Sequence, residues 1–402
     1  MPENSFPSDA VRYSDRQDLS TSPSSLPPPN PSVPFDAGQF DAGQIVDAED
    51  EPASILPFWQ RTGKQNYVLH VLLFLITLIT TTLAGLTWGG YDYDLSQPQQ
   101  LWQTFANGLP YSISVLLILT CHEFGHFFAT MHHSIRATLP YFIPLPQIPF
   151  LINIGTFGAV IKIKERIADS RALFDIGVYG PISGFVVALA VLVYGFATVP
   201  PVDYLYRIHP EYEGLRTIPL TPDAFSTGKN LLYLLLEKIF YSPSLPPMHE
   251  MYHYPFLFAG WIGCMVTAIN LLPVGQLDGG HIVYAMFGRR VQRTVARIVI
   301  ALMLIMGLPV FLEQMGGLFA YLLSLMTGRE MQFAGMSWMP EWLRKISWPG
   351  WALWAFILLR FVRIDHPPVE DESPLDTNRV IIGWISIAIF ILCFTPVPFG
   401  IG

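Results

Sequence analysis

Residues 115–130 read Val115-Leu116-Leu117-Ile118-Leu119-Thr120-Cys121-His122-Glu123-Phe124-Gly125-His126-Phe127-Phe128-Ala129-Thr130, an HExxH motif inside an apolar run. On a helix, positions i and i+4 share a face, so the His122 and His126 imidazoles can reach one metal ion. Glu123 sits one step from the first ligand, where it can handle the proton of a metal-bound water. Ionisable groups in a lipid-spanning helix are costly and point by default to function. The motif indicates a metallohydrolase, and its setting puts the chemistry in the plane of a membrane.

The rest of the chain supports that setting. Its 402 residues are 51% hydrophobic and only 13% charged, with a mean hydropathy of +0.39. Soluble domains carry about 25% charged residues. This balance predicts an all-α polytopic membrane protein with few large domains outside the lipid bilayer. Cys121, Cys264 and Cys393 all fall in apolar runs. They read as small buried hydrophobes, not as a disulfide framework or a cysteine-type zinc site. Residues 1–55 hold ten acidic residues and two arginines, which is the whole formal charge of −8. The remainder is balanced, so no basic surface points to nucleic acid. That stretch is Pro- and Ser-rich, with a DAGQF-DAGQI repeat at 36–45. It predicts a disordered acidic tail, with neither a secretory signal nor a transit peptide.

About seven transmembrane helices are expected, over 67–88, 109–130, 172–197, 256–274, 295–312, 349–362 and 380–395. The apolar stretch 316–326 is short; it can span, re-enter or lie on the membrane. Loop lysines and arginines orient the chain: 89–108 has none, whereas 131–171 carries Arg136, Lys162, Lys164, Arg166 and Arg171. By the positive-inside rule the N-terminus lies inside. Loop 198–255 then lies outside, as a cap or partner surface. Residues 155–164, Gly-Thr-Phe-Gly-Ala-Val-Ile-Lys-Ile-Lys, end in strand-like alternation after prolines at 140, 144, 146 and 149. They predict a small membrane-associated β-hairpin. Its edge can pair with an extended substrate, or the hairpin is purely structural.

A hydrolytic zinc site needs three protein ligands and an open position for water. HEFGH provides two. The strongest candidate for the third is Asp278, in Asn270-Leu271-Leu272-Pro273-Val274-Gly275-Gln276-Leu277-Asp278-Gly279-Gly280-His281. There Pro and Gly break an apolar span and expose backbone polar groups at membrane depth. That is tolerated only around a protein-lined or watered cavity. Asp278 can instead cap the helix that follows. His281 is a rival ligand, though it reads better as lying beyond the site. His132 and His133 read as interfacial, and His70 as a packed polar residue. Asp175 reads as a partner of the helix dipole. Gly180-Pro181-Ile182-Ser183-Gly184 is a small-xxx-small pattern suited to packing on the HEFGH span.

HEFGH within a span, followed by an Asn-x-x-Pro-x-x-x-Leu-Asp-Gly element, resembles the site-2 protease family of intramembrane zinc metalloproteases. Gly155-Thr156-Phe157-Gly158, the stretch Phe174–Gly184 and the ending Thr395-Pro396-Val397-Pro398-Phe399 are similar too, most of all to the branch shared by bacterial proteins and plant plastid homologues. The resemblance covers about residues 65–400. It implies an endopeptidase domain that cuts membrane-spanning protein substrates, as in regulated intramembrane proteolysis. By it, His122, His126 and Asp278 correspond to Zn2+ ligands and Glu123 to the catalytic acid/base. Asn270 falls near the scissile peptide, and Gly155, Phe157 and Gly158 in a substrate-positioning strand. No segment is long enough for the PDZ domain that some members insert. A multi-pass protein of the bacterial cytoplasmic membrane is expected. The competing readings are a catalytically silent chaperone or scaffold of the same fold, and a metal transporter.

Overall fold

Pro98 at the first position of a helix costs nothing, because the N–H it lacks would be unpaired there anyway. A 35-residue helix starts at that residue and carries the HExxH motif to His132. The computed structural model describes residues 65–401 apart from 95, 149–151, 216, 221–223, 332, 334, 336–338 and 363. The expected tail over 1–55 lies outside the described residues. In chain order the helices are α1 (Tyr67–Trp88), α2 (Pro98–His132), α3 (Ser170–Ala197), α4 (Asp203–Ile208) and α5 (Leu231–Ile239). They continue with α6 (Pro255–Asn270), α7 (Asp278–Thr327), α8 (Glu341–Ile346), α9 (Gly350–Ile357) and α10 (Thr377–Cys393).

Four of these, α1, α2, α3 and α7, are long and apolar enough to cross a membrane by length and composition. The expectation was about seven. The difference arises at helix ends, which apolar composition does not set. The run 256–274 stops as a helix at Asn270, because Pro273 cannot continue it. The stretches Gly350–Val362 and Thr377–Cys393 are apolar but equally short. The expected span 295–312 and the ambiguous 316–326 belong to one helix, α7. A single non-helical residue, Gly288 at φ 78°, separates its first turns from the rest.

α3 is the central post, packed against α2, α6 and α7. Its N-terminus is capped by Asp169, whose carboxylate accepts from the Arg171 and Ala172 backbone N–H groups. Trp261, Phe258, Tyr111 and Phe174 are fully buried in the core around it.

The expected hairpin is present. β1 (Tyr141–Pro144) pairs antiparallel with β2 (Thr156–Val160), in the register Tyr141 to Val160 and Phe142 to Ala159, shifting before Pro144 to Thr156. It is seated on α1 at Gly155, which has φ +84° and where a Cβ would lie 2.4 Å from the Thr81 Cα. The Thr80 hydroxyl donates to the Gly155 carbonyl at 2.7 Å. At its base, the Arg136 backbone N–H (3.0 Å) and guanidinium hold the Glu165 carboxyl below the usual carboxylate range. A second ladder, β3 (Phe225–Thr227) against β4 (Phe399–Ile401), was not expected. Three-residue strands are too short to show an alternation pattern.

Candidate active site

α2 places His122, Glu123 and His126 side by side, all buried. The first residue of α7, Asp278, meets them. Nε2 of His122 and Nε2 of His126 are 3.1 Å apart, and Asp278 Oδ2 lies 3.5 Å from the former and 3.3 Å from the latter. A tetrahedral zinc with bonds of about 2.0–2.1 Å needs ligand atoms about 3.3 Å apart, so these three donors fit such an ion. The Ile176 carbonyl can only accept, so His126 donates to it through Nδ1 at 2.7 Å. That fixes the tautomer and leaves the Nε2 lone pair facing the cluster.

Asp278 does not cap its helix; Leu277 occupies that position. His281 turns elsewhere, with Nδ1 2.8 Å from His366 Nε2. The glycines of α3 make room for the imidazoles. A Cβ at Gly180 would lie 2.1 Å from His126 Nε2, and one at Gly184 3.0 Å from His122 Cβ. The small-xxx-small pattern thus packs on the motif helix, as its sequence suggested.

A cavity of about 600 Å³ opens beside the cluster, lined by His122, Glu123 and Asn270, by β2 and by α6. Asn270 Nδ2 is 3.2 Å from His122 Nε2. Phe157, 67% exposed, and Gly158 line the same cavity from β2. Gly155 does not: its close contact with Thr81 turns it onto α1. The wall made by Trp348, Trp351, Trp354 and Phe399 was not foreseen. Its only sequence signal is the spacing of three between the tryptophans, which read as an ordinary span.

Two further expectations change. His133 is not merely interfacial, because its Nε2 lies 2.7 Å from Asp175 Oδ2. Arg379 donates to the same carboxylate at 2.7 and 2.8 Å, so Asp175 ties α2, α3 and α10 together. His70 is the packed polar residue expected, its Nδ1 donating to the Pro140 carbonyl at 3.0 Å.

Fold and site together define a helical protein with four helices long and apolar enough to cross a membrane, one of which carries two buried histidines of a His–His–Asp cluster able to hold a metal. The profile of Peptidase family M50 matches residues 110–310, half of the sequence, and the chain belongs to that family. It is 29% identical over 239 residues to "Probable zinc metalloprotease EGY1, chloroplastic" of Oryza sativa subsp. japonica, covering 56% of this chain and 38% of the relative. The Arabidopsis thaliana protein of the same name is 29% identical over 238 residues, 56% of this chain and 40% of its own. "Probable zinc metalloprotease EGY2, chloroplastic" of Oryza sativa subsp. indica is 29% identical over 186 residues, 46% and 30%. The chain spans less than half the length of these curated relatives. All three are chloroplastic by name, which gives no support to the expected bacterial cytoplasmic membrane. No solved structure matches.

Proposed function

We propose that the chain is a zinc-dependent intramembrane endopeptidase that cleaves transmembrane segments of membrane-anchored proteins, as in regulated intramembrane proteolysis. The observation that carries this reading is one arrangement: three donors at tetrahedral spacing, with Glu123 beside them on an apolar cavity. His122, His126 and Asp278 would hold the zinc. When bound, the ion supplies Lewis acidity, polarising the scissile carbonyl and making water acidic enough to attack near neutral pH.

Glu123 takes the proton from the attacking water and delivers it to the leaving amine. Asn270, next to His122, orients the peptide. A helical substrate hides its carbonyls in i→i−4 hydrogen bonds and must unwind first. Gly or Pro near the cut lowers that cost by up to ~1 and ~3 kcal/mol relative to Ala. Strand β2 then holds the unwound segment by backbone pairing, with Phe157 and Gly158 against it. In the proposed topology the N-terminus is inside and segment 198–255 is on the opposite side.

The test is zinc analysis of the purified full chain together with cleavage of a reporter transmembrane span. Zinc with cleavage is the expected result. Zinc without cleavage of any span would mean a silent scaffold, and zinc flux across vesicles without cleavage would mean a transporter.

A further inference from the structure

The segment between α3 and α6 gathers a second set of donors. His209 precedes the 3-10 turn Pro210–Tyr212, and Glu250 precedes the 3-10 turn Met251–His253. Nε2 of His209 and Nε2 of His253 face each other at 3.1 Å. Glu250 Oε2 lies 3.3 Å from His253 Nε2 and 3.6 Å from His209 Nε2.

The hydrogen bonds around the cluster decide what these atoms are. His253 donates through Nδ1 to the Trp88 carbonyl at 2.7 Å, since a carbonyl can only accept. His209 donates through Nδ1 to the Glu211 carboxylate at 2.9 Å. Each neutral ring therefore turns an unprotonated Nε2 toward the other. Two such lone pairs repel unless a cation lies between them. Glu250 is 3% exposed; the Tyr212 hydroxyl donates to its Oε1 at 2.9 Å, while Oε2 is buried and has no hydrogen-bond donor among the described residues. A buried carboxylate oxygen without a donor is costly. A proton would bridge one pair of these atoms, whereas a divalent ion satisfies all three.

The geometry points to a second divalent-metal site, His209–Glu250–His253, that staples the segment between α3 and α6 to the end of α1. Two imidazoles and one carboxylate suit an ion of the zinc class better than calcium or magnesium, which prefer oxygen. The two histidines are 44 residues apart, and one of them is anchored on the last residue of α1. One ion would therefore close the intervening loop and fix it to the span. A cavity of about 400 Å³, lined in part by Trp88, Tyr91, Tyr204 and His253, borders the cluster on its His253 side.

The test uses untagged full chain in detergent, stripped by a chelator and titrated with Zn2+. Wild type is expected to bind about two equivalents, and His126→Ala and His253→Ala about one each. The double variant should bind none. Glu250→Gln, which keeps the size of the side chain, covers the case in which His253→Ala fails to fold. Glu211→Gln, which weakens the hold on His209, should lower affinity at this site alone by roughly 10-fold or more. Co2+ bound to His126→Ala should show visible absorption bands that disappear with Glu250→Gln. Uptake of one equivalent by wild type and none by His126→Ala overturns the second site. Retention of both equivalents by His253→Ala and Glu250→Gln overturns it as well. Two equivalents in His126→Ala would instead count against the M50 cluster, so the two readings fail separately.

Discussion

The His122–His126–Asp278 and His209–Glu250–His253 clusters have nearly the same metal-facing geometry, yet only one has what hydrolysis needs. The facing Nε2 atoms are 3.1 Å apart in both. In both, one histidine is aimed by an Nδ1 bond to a backbone carbonyl, Ile176 in the first and Trp88 in the second. The surroundings differ. Beside the first stands Glu123, a carboxylate that is not one of the three donors, facing a cavity of about 600 Å³ with Asn270 and β2 on its walls. Beside the second, the additional carboxylate, Glu211, is engaged in holding His209. Ligand geometry alone makes a metal site. In the proposed reading, a spare proton acceptor and room for an extended peptide are what would make the first site hydrolytic.

Three substitutions press on this contrast. The largest effect is expected from Asp278→Ala. It removes a donor from the first cluster and leaves the second untouched, so about one zinc is lost and reporter cleavage is abolished. Zinc analysis and a cleavage gel check it. Next is Gly180→Ala, whose methyl would lie 2.1 Å from His126 Nε2. Displacing that ring should weaken zinc binding at the first cluster by roughly 10–100-fold, the range seen when a ligand loses its orientation. A competitive chelator titration should show affinity at the second cluster unchanged. The smallest effect is expected from Phe157→Ala. It strips an apolar side chain from β2, the strand proposed to hold the substrate, without touching either set of donors. KM for a reporter span should rise roughly 10-fold while kcat and zinc content change little.

The first cluster was largely legible in the sequence, for a local reason. Two histidines at i and i+4 fix their own spacing once the helix forms, so His122 and His126 needed no tertiary information. Asp278 was legible because Pro273 and Gly275 break an apolar run just where a carboxylate follows. The hairpin showed through its alternation and its glycines. The second cluster was not legible. His209 and Glu250 each precede a separate 3-10 turn with no periodic pattern, and only the fold brings them together. Span count also went beyond composition. The lengths of α6 and α10 depend on where Pro273 and Pro396 stop a helix, and the expected span 295–312 runs on without a break through 316–326 in α7. The seating of Gly155, at positive φ against the Thr81 backbone of α1, had no signal in the sequence.

The central claim is that Glu123 moves the proton while three other side chains hold the metal. Glu123→Gln tests it most directly, because the amide keeps the size of the carboxylate but cannot accept a proton at neutral pH. Zinc content and reporter-span cleavage are measured on the same purified sample. The account predicts wild-type zinc with cleavage lowered by at least roughly 10²–10⁴-fold. Cleavage near the wild-type rate by the zinc-loaded variant would contradict it.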